Sequence, residues 1–151
     1  MGSDIPGKVI GLGLAFVLCV LMPFITVSVE QEMLERRLVV SDVSDFIDSV
    51  VDSRKVIDSE LESLNLALAS YGMRVSYDIK RYRATVNPDP VHPDDFSVTY
   101  VLADDTTNYD QGDKISVHVY AIGTSTSINI SRRIAGVFIK DFDVTLTARV
   151  R

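Results

Sequence analysis

The chain has 151 residues, 46% hydrophobic and 24% charged, with a formal net charge of −6. That balance offers no basic stripe to displace counterions from phosphates, which excludes a nucleic-acid partner, and a single cysteine excludes a disulfide framework within one chain. One membrane segment and one domain of roughly 120 residues use up the length.

Residues 1–8, MGSDIPGK, form a short leader. Residues 9–29, VIGLGLAFVLCVLMPFITVSV, hold no Asp, Glu, Lys, Arg or His. A helix of this length crosses a ~30 Å hydrocarbon core, so the segment is expected to be a transmembrane helix in contact with membrane lipid. Small residues recur every fourth position, at Gly7, Gly11, Ala15 and Cys19, and Pro23 continues the spacing. Such a ridge lets backbones approach closely in lipid and is the candidate helix-packing surface. Lys8 and the N-terminal amine favour a cytoplasmic N-terminus. The rival reading is a cleaved secretory signal, with Thr26 and Ser28 as the small residues before Val29. Cys19 lies in the apolar run, where a low-pKa nucleophile is not expected.

Residues 30–151 are expected to form an extracytoplasmic α+β domain, helical over 30–72 and a sheet over 73–151. From Glu30 to Val51, Val39, Val43, Phe46, Ile47 and Val50 recur at steps of mostly three and four, and no glycine or proline separates them from the span. An amphipathic continuation of the first helix follows. Asp52-Ser53-Arg54-Lys55 breaks the period, and Ser59-Glu60-Leu61-Glu62 has the form of a capping box. A second, short helix should place Leu61, Leu64, Leu68 and Tyr71 inward and end at Gly72 in a left-handed cap.

Beyond Gly72 the period becomes two. Val75, Tyr77 and Ile79 alternate with polar residues, and Tyr82, Ala84 and Val86 continue in the opposite phase, which predicts a bulge near Lys80 and Arg81. Asn87–Asp95 is a proline-rich loop. Strands are expected around Phe96–Leu102, Ile115–Val119 and Phe142–Val150, giving an antiparallel sheet of about four strands on which the helices pack. Gly112-Asp113 suggests a hairpin turn between the first two of these, and Ile128–Ile139 reads as strand or loop.

Chemistry is sparse. Asp104, Asp105, Asn108, Asp110 and Asp113 form a weak candidate metal loop, but the EF-hand spacing and closing Glu are missing, so no metal is expected. His92 and His118 lack HExxH or HxH spacing, and no phosphate-binding or nucleophile-elbow motif occurs. Tyr77, Tyr82, Tyr100, Tyr109 and Tyr120 could make a binding surface, but tyrosine is also an ordinary strand residue. The expectation is a non-enzymatic protein with no cofactor and no small-molecule substrate.

The order of parts, with a short leader, the apolar helix of Val9–Val29 with Pro23 partway along it, an amphipathic continuation and a C-terminal antiparallel sheet, resembles the type IV pilin-like and pseudopilin superfamily, including minor pilin-like proteins of bacterial tight-adherence systems. The resemblance implies a single-pass protein of the cytoplasmic membrane, with its C-terminal domain outside. It further implies assembly with other copies or related subunits through the apolar helix, as in a cell-surface filament. Gly7 followed by Lys8 and Leu12, and Gly2 followed by Ser3, depart from the cleavage and glutamate pattern of a major pilin, which points to a divergent or minor subunit. The alternative is an anchored extracellular binding module recognising an envelope partner or ligand. A third is a metal-dependent or enzyme-accessory domain.

Overall fold

The computed structural model describes residues 5–88, 95–123, 129, 132, 133, 136 and 140–151. The chain divides into two units, residues 1–35 with 124–140 and residues 36–123 with 141–151. The segment 128–139 lies largely outside the described residues, as do His92 and most of the proline-rich loop.

In the first unit, α1 (Ile5–Phe16) leads into a π-helical turn (Val17–Leu21) and then α2 (Met22–Ser53), whose later residues belong to the second unit. The helix thus begins inside the expected leader, taking in Gly7 and Lys8. The π turn has a local cause. Pro23 has no N–H, and its ring would collide with the Cys19 carbonyl in an α-helix. The preceding turn widens, and the Met22 N–H reaches back five residues to the Val17 carbonyl. α1 has no buried residue, and Ile25 is the one buried residue of Val9–Val29. A helix this apolar and this exposed is long and apolar enough to cross a membrane. Its hydroxyls are satisfied inside the helix, Thr26 donating to the Met22 carbonyl at 3.0 Å and Ser28 to that of Phe24 at 2.9 Å.

The second unit is α+β. The amphipathic stripe lands as spaced: Val39, Val43, Phe46, Ile47 and Val50 of α2 are all buried in one core. α2 stops at Ser53 because Arg54 turns left-handed, at φ 56°. α3 (Asp58–Ser70) adds Leu64 and Leu68 to the core, with Leu61 and Tyr71 packed against it.

Two expectations about α3 are corrected. The helix starts at Asp58, one residue before Ser59, with Ile57 as its cap and no side-chain cap bond, so no capping box forms. The Ile57 carbonyl takes the Glu60 and Leu61 amides, and Asp58 and Glu60 lie at the positive end of the helix dipole. Gly72 does not adopt positive φ, and Tyr71 ends the helix in extended geometry (φ −79°, ψ 149°).

β1 (Val75–Pro88), β2 (Phe96–Ala103), β3 (Lys114–Ala121) and β4 (Asp143–Arg149) form an antiparallel sheet in the order β2-β1-β3-β4. β1 is long because its halves serve different neighbours, residues 75–82 pairing with β3 and 81–88 with β2. Register rows tie the core-facing side chains together: Tyr77, Val119 and Val144; then Ile79, Val117 and Leu146; then Arg81, Ile115 and Ala148.

The expected bulge is absent. Both ladders pass Arg81 and Tyr82 in constant register, so Arg81 stays in phase with Val75, Tyr77 and Ile79 and is buried on the core face. The expected hairpin is corrected too. β2 and β3 flank β1 on opposite sides, both antiparallel to it, so they run parallel to each other and the loop 104–113 is a crossover past β1.

Candidate functional site

The carboxylates of the crossover loop converge on a guanidinium. Arg81 Nε donates to Asp113 Oδ2 at 2.7 Å, Nη2 donates to Asp110 Oδ2 at 2.9 Å, and Nη1 lies 3.6 Å from Asp105 Oδ2. Asp113, itself buried, accepts from the Ala84 and Asp110 amides, each at 3.1 Å. Tyr109 lies beneath the guanidinium, its ring 5.5 Å from Cζ. Burial alone would raise the Asp113 carboxyl. The Ala84 and Asp110 amides and Arg81 outweigh it and hold the group below the usual carboxylate range. Burial pushes the Tyr109 phenol up to about 12.

Asp104 does not join this cluster, whereas the Asn108 side chain hydrogen-bonds Asp105. The Asn108 backbone bridges to Lys55, flanked by the Val56 amide on the Thr107 carbonyl (2.8 Å) and the Tyr109 amide on the Arg54 carbonyl (2.9 Å). Gly112, at φ 95°, makes the turn into β3 and donates its amide to the Val150 carbonyl at 2.9 Å. No group of three or more His, Cys, Asp or Glu among the described residues could hold a metal. The loop is a lock on the topology, with an arginine where a cation would sit. Sequence reasoning missed Arg81; the available signal was a basic residue in the apolar phase of β1, two residues beyond Ile79.

The tyrosines do not form one surface. Tyr77 donates to Asn65 at 2.7 Å, Tyr100 lies under the Lys114 ammonium at 3.7 Å, and Tyr120 lies beside His118, ring centroids 5.2 Å apart. His118 Nε2 is 2.9 Å from Asp143 Oδ1. A cleft of about 490 Å³ between α3 and the start of β1 is lined by Leu68, Tyr71, Met73, Val75 and Tyr77 among others.

The remaining candidate is the ridge. Gly7, Gly11 and Ala15 lie on α1 and are exposed, Cys19 falls in the π turn and is exposed, and Pro23 is exposed on α2. A Cβ built on Gly7 or Gly11 meets nothing within 4 Å. On the same helix Leu12 and Leu14 are more than half exposed as well. Cys19 falls within the π turn and Pro23 follows it on α2, where the wider turn offsets the drift that a four-residue spacing has in a regular α-helix. All five small positions are thus exposed along the apolar helix.

Comparison with protein-family models, with curated proteins and with solved structures finds no match.

Proposed function

We propose that this chain is a non-enzymatic, single-pass structural or assembly subunit of the cytoplasmic membrane, pilin-like in organisation, that associates with other copies or related subunits through α1. One observation carries the reading. Among the described residues nothing comes within 4 Å of a Cβ built on Gly7 or Gly11, and no contact there calls for glycine. Glycine in a helix interior costs ~1 kcal/mol against alanine. Close approach of a second helix in lipid offsets that cost through backbone packing. The α+β domain then lies outside, and a cell-surface filament is one product such contacts can build.

The test is Gly11→Leu with Ala15→Leu in a membrane two-hybrid assay, with carbonate extraction confirming insertion. Association should fall, and full association with normal insertion removes the reading.

A further inference from the structure

β2 is an edge strand with one strand neighbour among the described residues, β1. Its sequence, FSVTYVLA, contains no charge, proline or glycine. Natural edges are blunted by such residues to prevent pairing with other chains. The opposite edge, β4, begins with Asp143 and ends with Arg149. On the side of β2 turned away from the core, Phe96, Val98, Tyr100 and Leu102 pair with Pro88, Val86, Ala84 and Tyr82 of β1. Phe96 is 69% exposed, Val86 60% and Leu102 56%. The alternation that marks a buried face in β3 therefore lies open to solvent in β2.

We propose that this edge pairs antiparallel with β2 of a second copy, centred on Thr99, so that two sheets become one. The occupant follows from the spacing. With Thr99 opposite Thr99, Phe96 stands opposite Leu102 of the second copy and Val98 opposite Tyr100. Ser97 then stands opposite Val101, and every apolar residue of the open face meets another on the same face. No charge is placed against a like charge, because β2 has none.

The area says how the copies must be presented. Phe96, Val86, Val98 and Leu102 leave roughly 300 Å² of apolar surface per copy. A pair covers about 600 Å² at most, well short of the ~1,200–2,000 Å² of a freestanding dimer. Edge hydrogen bonds add to this, but a lasting contact needs copies held at high local concentration, which a shared membrane supplies. The inference therefore rests on the membrane-anchor reading above, and not on helix packing through Gly11.

The experiment uses the full chain in liposomes with Cys19→Ala, and Thr99→Cys as the reporter. Facing strand positions lie within disulfide reach. Oxidation should give a disulfide dimer for Thr99→Cys, and for a mixture of Ser97→Cys with Val101→Cys. Neither of the latter alone, nor Thr145→Cys on β4, should exceed background. Adding Val98→Lys should cut the Thr99 dimer by about fivefold, because it places a buried-facing charge in the pair. The dimer should persist with Gly11→Leu and Ala15→Leu.

A Thr99 yield no higher than that of Thr145 overturns the proposal, as does a yield indifferent to Val98→Lys or lost with the α1 substitutions. Slow maleimide labelling of Thr99→Cys in native membranes without a dimer assigns the edge to another protein and equally overturns it. Circular dichroism of each variant reads folding, and carbonate extraction reads the anchor, so failure of either is separated from failure of the pairing.

Discussion

Arg81 on β1 and Asp113, the last residue of the crossover loop before β3, face each other as a buried pair, with only 3% and 2% of their side chains exposed. This contact holds a crossover loop against the strand it crosses. Removing one partner leaves the other charge stranded, at a cost of ~3–5 kcal/mol. Arg81→Met should lower the urea midpoint accordingly. Arg81→Lys should recover only part, because an ammonium cannot serve Asp113, Asp110 and Asp105 in the planar geometry of a guanidinium. A wild-type midpoint for Arg81→Met would show that the loop is held by something else.

Asp113 also sets an acid limit. Its carboxyl is held below the usual range in the folded chain, so near the ordinary carboxylate pKa the unfolded chain binds more protons than the folded one. The stabilisation is full above that range and is lost as pH falls through the folded value. Asp105 is shifted the same way, chiefly by the Thr107 amide, but it is exposed and adds little. Urea midpoints should be level from about pH 7 to 5 and fall below about pH 4. Asp113→Asn should flatten that fall while lowering the plateau, and an unchanged slope would rule Asp113 out.

Tyr71 at the end of α3 donates to Asp42 Oδ2 of α2 at 2.5 Å. That bond, followed by burial and the Asp42 charge, pushes its phenol up to about 12. Asp42→Asn should return one tyrosine toward the ordinary value near 10. An ultraviolet titration reads this directly, and an unaltered curve would exclude the contact.

Ser49 of α2 donates its hydroxyl to Glu60 Oε1 of α3, whereas Ser59 makes no side-chain cap. Ser49→Ala should cost about 1–2 kcal/mol through the lost charge-assisted bond. Ser59→Ala should stay within about 0.5 kcal/mol of wild type. Equal losses would restore the capping box.

The legible parts of this fold were those fixed by repetition. The α2 stripe is read by spacing because five valine, isoleucine and phenylalanine positions agree on one face. β3 and β4 are read the same way. Arg81 was not legible, since a guanidinium in an apolar phase reads as a slipped register until the carboxylates that neutralise it are brought over from a loop about thirty residues later. The same crossover defeated the hairpin reading, because Gly112-Asp113 announces a turn without saying which strand lies between. β2 alternates like a buried strand, and its exposure follows from strand order, which alternation does not encode. In the apolar helix, the four-residue spacing did not announce the π turn at Val17–Leu21, which depends on where the proline ring meets the preceding turn.

The π turn at Val17–Leu21 also changes how far the apolar segment reaches. At ~1.5 Å per residue, one residue absorbed sideways removes about 1.5 Å of height. Val9–Val29 therefore measures slightly less along the bilayer normal than its letters suggest, close to the ~30 Å of hydrocarbon with little to spare. A thin membrane accommodates such an anchor without excess, whereas a thick one draws its ends inward. For a helix of this length, the proline that widens the turn would thus also set the thickness of bilayer it matches.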